Sequence, residues 1–420
     1  MLYKHDLPKR VRVLIIGGGI HGVGVLHDLV SRDLQDVFLV EKNTLAKGTS
    51  SKSTKLIHGG LRYLKRFSDF NLVAESLRER RLLLNLAPDI VHPLELLFPI
   101  MKKGGEKSFI VKAGLTLYDK LAGKSGIRKH RIVPKIEAEK AVPLLDVEKF
   151  KKIYSFWDGQ TDDFALVHRV AASAVAFGGK ISENCEAIGM RESQDGWEVE
   201  VRNHQGAIQK ISALYVINCL GPWANKFLED NGIVPKYKAI SNKGVHLILP
   251  DKALKAGLFL QSPVDSRIFF LLPWKGYTLL GTTEDVFNGN PDQVQVEEKD
   301  VDYLLNVCNP YLKHTIEKSE IIQSFAGLRW LVHEKSKTIS MTSREHLLGE
   351  QRSGRGLLIT IYGGKLTSYR TLAEAIGDRV LTHFGEFRKS NTSSPKLWNS
   401  PGSYSSHLRD DIGGIIERFS

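Results

Sequence analysis

"VLIIGGGIHGVGV", residues 13–25, decides the fold. An apolar run enters three glycines, and apolar positions then recur at helical spacing through Val23, Leu26, Leu29 and Val30. This is the pattern of a strand, a tight turn and a helix. "VFLVEK", residues 37–42, reads as a second strand and completes a βαβ unit. The glycines fit G-x-G-x-x-G. Gly17 permits the turn, Gly19 lets the backbone approach a pyrophosphate, and Gly22 lets helix and strand pack closely. The helix N-terminus offers N–H groups and a positive partial charge to phosphates. Glu41 ends the second strand, 19 residues after Gly22 (41 minus 22), where a carboxylate can accept ribose hydroxyl bonds. A dinucleotide site is expected. The motif alone does not separate NAD from FAD.

"KGTSSKSTKLIHGGLRYL", residues 47–64, follows directly. It is crowded with small hydroxyl side chains and glycines and then bears Arg62 and Tyr63. Such a stretch suits a ligand larger than an adenosine. Leu56, Ile57 and Leu61 argue against a flexible surface loop. Near the other end, "LLITIYGGKLTSYRTLAEAIGDRVL", residues 357–381, reads as a second strand, glycine turn and helix.

The chain has 420 residues, 42% hydrophobic and 25% charged, the composition of a globular protein with a real core. No apolar run approaches the roughly 18 residues of a membrane span. Cys185, Cys219 and Cys308 lie far apart and fit no metal spacing, so reduced thiols and a cytoplasmic location are expected. Net charge is +12, which suits an anionic partner. Residues 70–87 read as a helix that stops before Pro88, and the stretch from residue 162 as a helix that ends at Gly178-Gly179. "GWEVEVRN", "QKISALYVINCLG" and "KGVHLIL" read as strands, and residues 267–284 as a hairpin turning at Lys275-Gly276.

"GTSSKSTKLIHGGLRYL" resembles the signature of FAD-dependent glycerol-3-phosphate dehydrogenases, in the D-amino-acid-oxidase-like flavoprotein superfamily. The likeness continues through "VINCLGPWA", "KGVHLILP", "LLPWKGYTLLGTTE", "AGLRWL", "TSREH" and "IYGGKLTSYR", over about residues 10–380. It implies an α/β protein: a Rossmann-like FAD-binding domain at 1–90, 151–235 and 326–385, and a discontinuous α+β substrate domain at 91–150 and 236–325. A short tail at 386–420 follows. It implies FAD as cofactor and oxidation of sn-glycerol 3-phosphate to dihydroxyacetone phosphate, with electrons passed to quinone or another acceptor.

The resemblance also distributes roles. The cofactor would be met by Gly17, Gly19, Gly22, Glu41, Thr49, Ser50, Ser51, His58, Gly59, Ala187 and Gly221. Gly363, Gly364, Lys365, Leu366 and Thr367 would join them, opening a helix toward the flavin. Arg62, Tyr63, Arg329 and Arg344 would bind substrate, since an arginine fork matches phosphate. His246 would take the hydroxyl proton, and Lys365 and Arg329 would act at the reacting end. The chain departs from the family at Trp330, usually proline, and at Ala165, usually arginine. The family's helical C-terminal domain is expected to be absent, because only 40 residues (420 minus 380) follow Val380.

Residues 102–131 carry nine Lys/Arg against Glu106 and Asp119. Within them "FIVKAGLTLYDKL" sets Ile110, Gly114, Leu117, Tyr118 and Leu121 on one helical face. That face either rests on an anionic membrane, at the inner face of the cell membrane, or packs on its own domain. Nucleic acid is not expected as a partner: only Phe109 and Tyr118 could stack on bases there. The oligomeric state is open. Three alternatives stand beside the main reading: a related FAD enzyme acting on another 2-hydroxy acid or small amine, an FAD-dependent RNA-modifying protein, and a flavin-binding protein without turnover.

Overall fold

Strand Arg10–Ile16 carries Val13, Leu14 and Ile15 with no solvent exposure, so both faces of it are covered. The computed structural model describes residues 3–65, 69–103, 106–332 and 346–394. The chain divides into two compact units. The first comprises Met1–Ser53, Asp162–Asn242 and the described part of Leu328–Asp410. The second comprises Thr54–Thr161 and Lys243–Gly327.

In the first unit an eight-stranded sheet has a parallel centre. Its order runs Gly356–Tyr362, Ile208–Asn218, Arg10–Ile16, Val37–Glu41, Lys180–Glu183. Leu347–Ser353 adds an antiparallel edge, and Gly196–Arg202 with Glu186–Ser193 extends from Ile208–Asn218 as an antiparallel ribbon. Parallel neighbours need crossovers, and helices supply them. Helix Ile20–Ser31 packs against helices Asp163–Ala176 and Tyr369–His383. A Cβ at Gly24 would stand 2.8 Å from the Tyr369 ring, so only glycine allows that approach. Buried Arg32 joins the first helix to the last. It pairs with Asp28 at 2.8 Å and Asp378 at 2.5 Å and donates to Glu374 O at 3.1 Å.

In the second unit a ten-stranded sheet is apolar on both faces. Side chains alternate between two cores with the period of a strand. Leu97, Leu247, Leu249, Leu258, Leu260 and Leu271 enter one, beside helix Glu298–Cys308. Leu96, Phe98, Ile248, Phe259 and Leu272 enter the other, beside helices Phe70–Leu86 and Ser108–Ala122. The expected hairpin is present. Lys275 (φ 49°) and Gly276 (φ 76°) join Ile268–Trp274 to Tyr277–Gly281, and two positive φ values match the twist of paired strands.

Three expectations need correction. Residues 54–90 and 151–161 belong with the second unit, not with the dinucleotide-binding one. Val73 and Leu77 of helix Phe70–Leu86 pack into its core, and Phe150–Thr161 pairs with Val91–Met101. Periodicity shows that a helix has an apolar face, not which sheet covers it. Likewise the first unit runs to Asn242 and resumes at Leu328, where breaks at 235 and 326 were expected. Finally, helix Ser108–Ala122 buries Val111, Leu115, Tyr118 and Ala122, a face rotated from the one expected. It packs on its own unit and leaves Phe109 69% and Ile110 47% exposed. Among the described residues no helix is long and apolar enough to cross a membrane, and the three cysteines are unbridged.

Candidate functional site

In the first unit the glycine turn has the geometry its spacing demands. Gly17 sits at φ 108°, and a Cβ there would meet Cys219 O at 2.8 Å. A Cβ at Gly22 would stand 1.8 Å from Gly17 O, so strand and helix could not meet as they do. At Gly19 only Ser50 Oγ lies near, at 3.0 Å, and the missing side chain keeps that face of the turn clear. Glu41 closes the turn: Gly18 N donates to its Oε2 at 2.6 Å and Asn43 N to its Oε1 at 2.9 Å. Burial raises the Glu41 pKa, which these two N–H bonds and Lys42 oppose. Cys185 N donates to Glu41 O at 2.8 Å, and Ala187 follows two residues on, half-buried in strand Glu186–Ser193.

The hydroxyl-rich run is fastened inside this unit. Ile20 N, at the start of the first helix, donates to Ser50 Oγ at 2.9 Å. Thr49 Oγ1 donates to Leu328 O at 2.8 Å. Ser53 Oγ donates to Asp163 Oδ2 at 2.6 Å, and Ser51 is buried. The last glycine turn meets the first: a Cβ at Gly364 would lie 2.6 Å from the His21 ring. Burial, with His346 second, lowers the His21 pKa to about 4 against a smaller opposing bond to the Lys365 backbone, so this ring is neutral near pH 7. Gly363 and Gly364 have φ 75° and 95°, and Gly221 φ 55°. The expected helix does not open at this turn. It begins at Tyr369, so Lys365, Leu366 and Thr367 precede its N-terminus, with Lys365 and Thr367 buried.

Arg329 Nη1 donates to Asn242 Oδ1 at 2.8 Å, also in this unit. Arg344 lies outside the described residues.

In the second unit His246 is 1% exposed and stacks on Phe325, with centroids 4.9 Å apart and planes at 15°. Thr54 Oγ1 lies 3.0 Å from its Nε2, and which atom donates follows the tautomer. Gly281 faces His246 across the ladder; a Cβ there would fall 2.2 Å from the imidazole. Buried Lys55 lies over the Phe325 and Trp274 rings. Arg62 lies over Tyr63, which is buried, and pairs with Glu284 at 3.0 Å. His58 is half-buried. Gly59 N donates to Asp158 Oδ1 and Tyr118 Oη, both at 3.0 Å, so that N–H serves this unit's own core.

Sequence reasoning did not find His21, Thr54, Lys55, Asn242 or Glu284. Gly281 carried the one available signal, a glycine inside a strand. The pairs Arg62–Glu284 and Arg329–Asn242 span 222 and 87 residues and leave no local trace.

A sheet with a parallel centre, a glycine turn, a buried acid and a second glycine turn against the first define a dinucleotide-binding protein. The model of the FAD dependent oxidoreductase family matches residues 12–370, and the chain belongs to that family. It is 34% identical over 370 residues to D-erythritol 1-phosphate dehydrogenase of Brucella abortus (strain 2308), covering 87% of this chain and 73% of the relative. It is 34% identical over 394 residues to glycerol-3-phosphate dehydrogenase of Pseudomonas tolaasii, covering 92% and 74%. Among solved structures, glycerol-3-phosphate dehydrogenase of Bacillus halodurans complexed with FAD superposes with a TM-score of 0.71 at 27% identity. That match covers 92% of this chain and 67% of the other. The protein is therefore an FAD-dependent oxidoreductase, and the glycine cradle described above fits that cofactor.

Proposed function

We propose that the chain oxidises the secondary alcohol of a small polyol phosphate, with sn-glycerol 3-phosphate as substrate and dihydroxyacetone phosphate as product. One observation carries this reading. Thr49 ties Leu328, within strand Gln323–Val332, to the hydroxyl run at the first glycine turn. A guanidinium, that of Arg329, is thereby fixed in the unit that holds the dinucleotide cradle. A phosphate needs such a partner, and a fork-shaped donor set suits it. FAD, when bound, would supply the sink for the hydride, and with it the two electrons, lost from C2.

The protein's part is to hold and orient. Arg329, with Arg62 and Arg344, binds the phosphate, and Tyr63 lines the substrate's place. His246 receives the hydroxyl proton, its ring plane set by Phe325 and its Nε2 by Thr54. Lys365, before the last helix, stabilises developing negative charge. Glycines 17, 19, 22, 59, 221, 363 and 364, with Glu41, residues 49–51, His58, Ala187, Leu366 and Thr367, form the proposed cofactor contacts. Electrons pass on to a quinone or another acceptor. The likeness to a D-erythritol 1-phosphate dehydrogenase supports a second reading, in which a longer polyol phosphate is the substrate.

Dye reduction with glycerol 3-phosphate, D-erythritol 1-phosphate, glycerol, 2-hydroxyglutarate and sarcosine tests both. Turnover of a phosphate ester well above glycerol is expected. Comparable turnover of glycerol, or preference for 2-hydroxyglutarate or sarcosine, would overturn the proposal.

A further inference from the structure

Asn242 lies on strand Ala239–Pro250, beside strand Gln323–Val332 that carries Arg329, and has no solvent exposure. A guanidinium has only donors, so the atom facing Arg329 Nη1 at 2.8 Å must be the amide oxygen. The orientation of the amide is thereby fixed, and its NH₂ points elsewhere. That Nδ2 is buried and meets no acceptor among the described residues. A buried donor left in this state costs free energy unless a ligand supplies the acceptor. The same bond makes Asn242 a brace for Arg329, whose strand is already tied through Leu328 O to Thr49.

Two kinds of anion would engage an arginine here. A carboxylate has two oxygens, and one arginine fork satisfies both. A phosphate monoester has three terminal oxygens, and the third needs another donor. We infer that Asn242 is a specificity-determining residue: its Nδ2 donates to the third oxygen of a phosphoryl group held by Arg329, and so favours phosphate monoesters over carboxylates. The inference rests on the reading of Arg329 as the phosphate's partner. The donor is neutral, so it adds a hydrogen bond without adding to the charge that would also attract a carboxylate.

The test uses the FAD-loaded protein, with inorganic phosphate and acetate titrated against the flavin absorbance. Asn242→Asp keeps the oxygen that braces Arg329 and exchanges the donor for an anion. Asn242→Ala removes the donor without adding charge. Both variants should weaken phosphate binding by about tenfold or more, the effect of one lost hydrogen bond in a buried site. Asn242→Ala also removes the brace on Arg329, a loss that phosphate and acetate share; phosphate alone loses the Nδ2 donor as well, so the phosphate-to-acetate ratio falls. KM for glycerol 3-phosphate should rise in step, with kcat within about twofold and FAD content constant. An unchanged ratio in Asn242→Ala, with normal phosphate binding by the wild type, would overturn this inference alone. FAD loss parallel to phosphate loss would overturn it too, by assigning Nδ2 to the cofactor. A wild type that binds no phosphate would overturn the functional reading itself, and the inference with it.

Discussion

At the scale of residues, Arg329 is the sharpest point. It is half-buried, braced by Asn242, and proposed to meet the substrate's phosphate. Arg329→Ala should then lower kcat/KM for glycerol 3-phosphate by about 30-fold to several-thousand-fold, about 2–5 kcal/mol for a charge-assisted pair lost from a desolvated site. Arg329→Lys should recover only part, because a point charge does not reproduce the fork. Glycerol lacks the phosphate, so its slow turnover should hardly change. An equal loss on both compounds would assign Arg329 to fold or chemistry. Arg62 differs, since Glu284 shares its charge at 3.0 Å. The sequence showed both arginines as equals, because the carboxylate that separates them lies 222 positions away.

At the scale of elements, the segment Leu56–Gly60 is held by one buried carboxylate. Asp158 Oδ1 accepts from Arg80 Nη1 at 2.6 Å, Tyr118 Oη at 2.7 Å and Gly59 N at 3.0 Å. Strand Phe150–Thr161, helices Phe70–Leu86 and Ser108–Ala122, and the loop before Arg62 converge on it. Asp158→Ala leaves Arg80 charged and buried, and should cost about 3–5 kcal/mol of stability in urea unfolding of the FAD-loaded protein. A loss under about 0.5 kcal/mol, ordinary for a surface position, would refute this account. Nothing local marked Asp158, which sits in the strand sequence "SFWDGQT". The first βαβ unit was legible because strand, glycine turn and helix follow one another within a few residues, and Gly22 is required by a backbone contact as near as Gly17. The helix Ser108–Ala122 was legible as a helix and misread in its buried face. Its glycine and exposed aromatic blur the periodicity, and only the sheet beneath it decides the face. The last glycine turn was legible as a turn, but four residues intervene between Gly364 and the start of the helix at Tyr369, and the N-cap, Ser368, makes no side-chain capping bond.

At the scale of the whole molecule, the excess of positive charge has one local concentration worth testing. Lys102, Lys103, Lys107 and Lys112 are exposed around Phe109 and Ile110. We propose that this edge contacts an anionic membrane surface, with the basic side chains attracted and the apolar pair inserted. Binding to vesicles containing an anionic lipid should exceed binding to neutral ones and weaken with salt. Replacing the four lysines by Gln should reduce it. Equal binding to both kinds of vesicle would remove the electrostatic half of the proposal. The ten-stranded sheet carries a different lesson. With apolar side chains on both of its faces, a one-residue slip of a strand such as Gly257–Gln261 would not drive leucines into water. It would exchange Leu258 and Leu260, from one core, for Phe259, from the other. Hydropathy is nearly blind to that error. In this sheet the register is therefore written in side-chain volume, and the native alignment is chosen by which cavity an aromatic ring can fill.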